Sequence, residues 1–389
     1  MRCLIIKIQI PLLKKNNMKK FKLVTIVGTR PEIIRLSSII KKADKFFNHT
    51  LIHTGQNYDF ELNEIFFRDL DIKKPKYFLD SASSDSNETI GNVISKSSPL
   101  LRKIKPDALL VLGDTYSCMS LIAAKHLKIP TFHMEAGNRC FDFRVPEEIN
   151  RKIVDHTSDV NLTYSSISRE YLINEGLNPQ LVIKVGSPMK EVINNSLKEI
   201  NQSKILKMLD IDQKKYFLFS SHRQENVSDK NNLNKIIHIL DYLAENSELP
   251  IIVSTHPRTR LEIKKSKHKF HKSIKLLKPL GYIDYMKLQI HAKCVISDSG
   301  TINEEASILK FPAINIRETH ERPEAMEESA TIMSGLSSER FQQALRLIED
   351  LDFYPDDVAD YNVSNVSDKV LRTIISYTDY INQNIWKKI

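Results

Sequence analysis

The chain has 389 residues, 41% of them hydrophobic, and a formal net charge of +9 at pH 7. That length suits two α/β cores of ordinary size rather than one. The charge is dispersed, with no RNA-recognition, helix-turn-helix or zinc-finger spacing, so nucleic acid is not an expected partner. A basic surface with a phosphorylated metabolite explains it equally well. Cys3, Cys118, Cys140 and Cys294 stand isolated, which excludes a disulfide framework and structural zinc and suits a reducing cytosol.

In chain order, the run RCLIIKIQIPLL has its lysines after it rather than before it, and no small-residue cleavage site follows. At about a dozen residues it is too short to span a bilayer. MKKFKLVTIVGTRPE, from Met18, has the look of a natural start, so residues 1–17 are expected to be a loosely packed extension. No membrane insertion is expected. Strand-like runs then recur ahead of helical patterns: KLVTIVG, HTLIHTG, ALLVLGD and TFHMEAG, followed by YFLFSSH, PIIVSTH, CVISDSG and PAINIRE. This βα rhythm predicts parallel sheets with helices on both faces. The predicted domains are 18–187 and 188–365, changing near VGSPMKEV with Gly186 as hinge. Residues 366–389 form a helix that either caps the second domain or packs back on the first.

Candidate functional groups sit where strands end, the address at which open α/β sheets bind ligands. In VTIVGTRPEIIRL a helix starts after Gly28, where backbone amides and Arg30 suit phosphate or carboxylate. The alternative is an arginine capping its own surface. No GxGxxG or Walker A loop is present, and none of the ten glycines lies two positions from another, so no dinucleotide or P-loop fingerprint exists. Asp114 follows a buried strand; it either faces a ligand or caps the next helix.

The stretch His133–His156 concentrates Glu135, Arg139, Asp142, Arg144, Glu147, Glu148 and Arg151 and reads as an active-site segment. Pro146 predicts a helix start, with Ile149, Ile153 and Val154 on one face and Glu147 beside Arg151, four residues on. A solvated helix with an ordinary ion pair is the alternative. His222 and Arg223 end one strand, and His256 and Arg258 another; His222 is either functional or a satisfied interior histidine. In ISDSGTINEEAS, Ser299 and Gly300 open a helix that could hold a pyrophosphate. Glu304 and Glu305 would either meet ribose hydroxyls or complement the helix dipole. ETHERPEA repeats the Arg-Pro-Glu turn of GTRPE and could shape an inter-domain cleft.

Taken together and in order, GTRPE, GQNYD, LGDT, HMEAG, PEEINR, SHRQEN, THPR, DSGTINEEA and RETHERPEA resemble the non-hydrolysing UDP-N-acetylglucosamine 2-epimerase family from Met18 onward. The resemblance implies two Rossmann-like domains facing across a cleft, similar to the glycosyltransferase B fold. It also implies a homodimer, a UDP-sugar substrate, and no cofactor or metal. It makes Asp114, Glu135 and Glu147 the carboxylates near the sugar and His222 a further catalytic residue. Arg30, Arg35, Arg151, His256, Ser299, Gly300 and Glu305 become the nucleotide-binding set.

The chain departs from the gluco-to-manno pattern. After HMEAG it reads NRCFDFRVPEEINR where LRTGD is usual, Arg35 stands at a lysine-type position, and Thr301 replaces a paired glycine. In this it resembles the branch forming UDP-N-acetyl-L-fucosamine from UDP-N-acetyl-L-pneumosamine, with UDP-N-acetylglucosamine epimerisation as the alternative. A transferase of the same architecture is a third reading, since fold alone does not fix function.

Overall fold

The apolar runs that close on glycine or a polar pair become the inner strands of two wholly parallel sheets. The computed structural model describes residues 20–56, 60–221, 226, 229–255, 257–266, 268–351 and 355–388. The expected amino-terminal extension, His222 and His256 lie outside the described residues. In the first sheet β1 (Lys22–Val27), β2 (Asn48–His53), β3 (Tyr77–Phe78), β4 (Ala108–Leu112), β5 (Thr131–Ala136), β6 (Val160–Thr163) and β7 (Val182–Lys184) run in the order β3-β2-β1-β4-β5-β6-β7. The second holds β8 (Phe217–Ser221), β9 (Ile251–Thr255), β10 (Ile274–Leu277), β11 (Cys294–Ser297), β12 (Ala313–Asn315) and β13 (Ile332–Met333), ordered β10-β9-β8-β11-β12-β13.

Parallel sheets are covered on both faces, so their central strands must be apolar throughout. β4, ALLVL, is buried at every position. Both sheets reverse their winding at an equivalent place, between β1 and β4 in one lobe and between β8 and β11 in the other. Loops leaving adjacent strands there turn to opposite faces and leave a crevice.

The helix Arg30–Phe46 begins at this point because Thr29 is extended (ψ 161°) and Pro31 presets the first turn. Its Ile33, Leu36, Ile40 and Ala43 recur at helical spacing and are fully buried. The helix Met189–Gln202, just after Gly186, buries Met189, Val192, Ile193 and Ile200 in the same cluster, which also takes in Tyr282 and Met286 of the second lobe. It thus lies between the lobes. The closing helix Val366–Asn384 returns to the first lobe, where Val370, Ile374 and Ile381 join that cluster and Asp368 meets Lys42 at 2.7 Å. Each fully buried aliphatic side chain of this kind contributes roughly 1.5–3 kcal/mol.

Gly137, at the end of β5, has φ +79°, and a Cβ there would lie 2.2 Å from the Ser168 carbonyl oxygen. Neither the backbone angle nor the space admits a side chain. Gly137→Ala is expected to destabilise the protein by about 1–3 kcal/mol. A urea midpoint equal to that of the unmodified chain would contradict this.

Candidate active site

The switch point of the first sheet sets Arg30 and Asp114 on neighbouring loops, and β5 adds Glu135 next to them. Gly113 (φ +83°) turns the chain out of β4, and a Cβ on it would sit 3.8 Å from Glu135 Oε2. The acids after β4 and at the end of β5 are therefore close neighbours. Glu135 occupies the left-handed region (φ 64°) at a register shift between Met134 and Ala136 in the pairing of β5 with β6. Such an irregularity re-aims one side chain, and holding a non-glycine residue there costs about 1–3 kcal/mol. The strain is offset by what Glu135 reaches.

Glu135 accepts from Arg35 of the first lobe and, at 2.6 Å, from Arg322 of the second. Arg35 also bonds Glu304 at 2.8 Å, and Arg322 lies 3.5 Å from the same carboxylate, which Ser187 meets on its other oxygen. Both guanidinium groups stand over the Tyr164 ring, at 5.9 and 5.5 Å. Two arginines and two glutamates thus form a neutral, buried cluster across the seam of the lobes. Burial alone would push the Glu135 carboxyl up, but Arg35 and Arg322 outweigh it and hold it at about 2. Among the described residues, Arg35 Nε and Arg322 Nε and Nη1 are buried without hydrogen-bond partners. Buried donors left over in this way point to an acceptor that arrives with a ligand.

A second group surrounds Arg151, buried on the helix Pro146–Thr157. It bonds Asp114 at 2.7 Å and Glu148 at 2.8 Å, and lies 3.7 Å from Glu321 of the second lobe. Arg317 in turn pairs with Glu321 at 2.7 Å. On its own helix Arg151 is partnered by Glu148, three residues back. Glu148 is fully buried while Glu147, one position earlier, is half-buried. The predicted apolar face is corrected: Val154 is fully buried, but Ile149 and Ile153 are 49% and 40% exposed. Within the dense segment, Arg139 is committed to Asp155 and Glu175, and Arg144 to Asp142.

Between the lobes lies a cleft that opens to solvent. Arg30, Arg35, Tyr282, Tyr285, Ser299 and Glu305 line it. Ser299 and Gly300 open the turn before the helix Ile302–Leu309, whose free amides favour anions. Glu305 accepts from Gln289 Nε2 at 2.7 Å, and burial raises its carboxyl above the usual range despite that bond. Arg30, Arg35, Ser299 and Glu305 are thus brought to one cleft, with Gly300 in the turn between its lining residues Ser299 and Thr301, and Glu135 is joined to it through Arg35.

Sequence reasoning passed over Arg322 and Glu32. The repeated Arg-Pro-Glu turn was the available signal: Arg30 and Arg322 each directly precede the proline that starts a helix. Glu32, third in that motif, is 1% exposed beneath the loops of β1 and β4.

A profile described as UDP-N-acetylglucosamine 2-epimerase matches residues 40–375. The chain belongs to that family. It is 49% identical to the UDP-N-acetylglucosamine 2-epimerase of Rickettsia bellii, with a TM-score of 0.88 over 95% of this chain and 100% of that one. It is 33% identical to the Methanocaldococcus jannaschii UDP-GlcNAc 2-epimerase in complex with UDP-GlcNAc and UDP, with a TM-score of 0.85 over 92% and 100%. The UDP-2,3-diacetamido-2,3-dideoxy-D-glucuronate 2-epimerase of Pseudomonas aeruginosa is 30% identical over 331 residues, 84% of this chain and 91% of that relative. In fold alone the likeness extends to a Rickettsia africae glycosyltransferase, 13% identical with a TM-score of 0.53 over 96% and 100%. The expected glycosyltransferase-like pair of parallel-sheet lobes is therefore present, and the family is that of the 2-epimerases.

Removing the Glu135 carboxylate leaves two buried cations with one partner. Glu135→Ala is expected to cost about 3–5 kcal/mol at pH 7. Because the folded value lies below the usual 4.5, the stabilisation is complete above that pH and lost as pH falls toward about 2. Denaturation of both proteins across pH 2–7 checks this: their stability gap should narrow at the acid end, and a constant gap would refute the ion-pair account.

Proposed function

We propose that the chain is a UDP-N-acetylhexosamine C2-epimerase that works by reversible elimination of UDP. The observation carrying this reading is the pair Asp114 and Glu135 at the carboxyl ends of adjacent strands, with Glu135 joined through Arg35 to a cleft lined by Arg30, Arg35, Ser299 and Glu305. The C2 hydrogen of such a sugar is not next to a carbonyl, so direct abstraction by a carboxylate is too slow. Breaking the anomeric C–O bond builds oxocarbenium character that acidifies C2. The departing diphosphate then needs positive charge to hold it. Arg30, Arg35, the amides near Ser299 and Gly300, and His222 and His256 supply that grip, with Glu305 on the ribose.

Asp114, Glu135 and Glu147 are the acids that remove and return the C2 proton on opposite faces. Arg151, enclosed by three carboxylates, orients Asp114 instead of binding phosphate freely. Glu135 stays ionised while Arg35 and Arg322 hold it. Arrival of a diphosphate that draws those arginines away returns basicity to it. Closure of the lobes keeps water from the glycal-like intermediate.

Within this chemistry the substrate we favour is UDP-N-acetyl-L-pneumosamine, giving UDP-N-acetyl-L-fucosamine for surface polysaccharide. The support is the departure at residues 138–146, where Asp142, Arg144, Val145 and Pro146 line a second cavity with Arg317 and Thr319. Pocket contacts set discrimination between related sugars. Epimerisation of UDP-N-acetylglucosamine is the second reading, favoured by the names of the Rickettsia bellii and Methanocaldococcus jannaschii proteins. A cytoplasmic homodimer completes the proposal, supported by the free Cys118, Cys140 and Cys294 and by exposed Phe141, Phe143, Ile149 and Ile153.

Proton NMR with each nucleotide sugar in turn tests the substrate, and a C2 epimer without an acceptor separates epimerase from transferase. In deuterium oxide the product should carry one deuterium at C2. Asp114→Asn should lose about 10³-fold or more in turnover while UDP affinity stays within a few-fold. Near-normal turnover in that variant would remove Asp114 from the chemistry.

A further inference from the structure

Glu32 is a motif residue that the functional assignment leaves unused, and its surroundings are built around it. It lies in the first turn of the helix Arg30–Phe46 and is 1% exposed. Its Oε2 accepts from the Gly28 amide at 3.1 Å and from Thr29 Oγ1 at 2.7 Å, both in the loop leaving β1. Its Oε1 accepts from Ser117 Oγ, and Ser117 Oγ lies 2.8 Å from Thr115 Oγ1 in the turn that follows Asp114. One carboxylate therefore joins the loop carrying Arg30 to the loop carrying Asp114.

We propose that ionised Glu32 is a positioning residue for Asp114, clamping the β1 and β4 loops in their catalytic register, and that its protonation loosens that register. The proposal rests on the epimerase reading and extends it to a residue that touches no substrate. The chemistry follows from donor counting. An ionised carboxylate accepts on both oxygens, so the Gly28 amide and the Thr29 and Ser117 hydroxyls all donate to it. A protonated one must donate from one oxygen. The Gly28 N–H cannot accept that proton, so one of the hydroxyls must turn from donor to acceptor: that of Thr29 in the β1 loop, or that of Ser117, whose reversal also turns its bond with Thr115 in the turn after Asp114.

Burial pushes the Glu32 carboxyl up to about 7, against the hydrogen bonds from Ser117, Thr29, Gly28 and Thr115. From the β4 turn the titratable group facing it is Cys118, whose thiol burial drives well above its usual range, so it stays neutral. Asp114 stands at the start of the same turn, its charge matched by Arg151. On Glu32's own helix, Arg35 is committed to Glu135 and Glu304, and Arg30 lines the nucleotide cavity. Among the described residues no cation forms an ion pair with Glu32, which leaves its charge to hydrogen-bond donors alone.

The test is the pH profile of kcat and KM for the intact enzyme with its UDP-sugar. The unmodified enzyme should show kcat rising through about pH 7 with KM nearly constant. Glu32→Gln, an uncharged isostere that imitates the protonated acid, should be flat over the same range at the low-pH level. Ser117→Ala removes one donor to the carboxylate and should move the midpoint upward. A profile unchanged in both variants, or no rise near pH 7 in the unmodified enzyme, overturns the proposal. If Glu32→Gln fails to fold, the direction of the shift in Ser117→Ala decides. Should no UDP-sugar turn over at all, the epimerase reading falls instead; carboxyl-¹³C NMR of the glutamates still reports whether one titrates near pH 7 and vanishes in Glu32→Gln.

Discussion

The four-membered cluster of Arg35, Glu135, Arg322 and Glu304 is the interaction on which the arrangement of the molecule depends. Each lobe contributes one arginine and one glutamate, and every pairing between Glu135 and Arg322, or Arg35 and Glu304, crosses the seam. Desolvating four charges is costly, and a buried cluster of this kind is weak support for stability by comparison with apolar packing. What it supplies is geometry. It fixes where the second lobe stands against the strand end that carries Glu135, and it keeps that acid ionised.

In the function proposed above, a nucleotide diphosphate competes for the same guanidinium groups. Three of their nitrogens are without hydrogen-bond partners among the described residues, so the cluster, although its formal charges cancel, has donors in excess of acceptors. Binding of an anion satisfies them. It also draws positive charge from Glu135, moving its carboxyl toward an ordinary value where proton transfer becomes feasible. On that proposal, lobe closure and acid–base readiness are linked through one set of side chains.

The inner strands were legible because a two-sided parallel sheet forces uninterrupted apolar runs; all eight that were read from the sequence are strands. The short β3, β7 and β13 were not, since two or three residues at or near a sheet edge leave no periodic trace. β6, VNLT, escaped because polar Asn161 and Thr163 alternate with its apolar positions although all four are buried. Candidate acids and arginines were legible from their place after strands. Their partners were not: Arg151 pairs with Glu148, three residues back, and Arg322 meets Glu135 across 187 positions. Spacing along one helix cannot report a contact made by the fold. The exposure of Ile149 and Ile153 was likewise beyond the helical pattern, which marks an apolar stripe without saying what covers it.

The return of the final helix to the first lobe has a mechanical consequence. The polypeptide crosses between the lobes near Gly186 and again near residue 360, and the two crossings touch: the Ser187 amide donates to the Asp360 carbonyl at 2.9 Å, and Gly186 abuts Val363. Two adjoining strands of chain behave as a butt hinge with two knuckles. For the lobe closure proposed above, such a hinge favours a swing about the line joining the two crossings over twisting or sliding, so that opening would retrace the arc of closing.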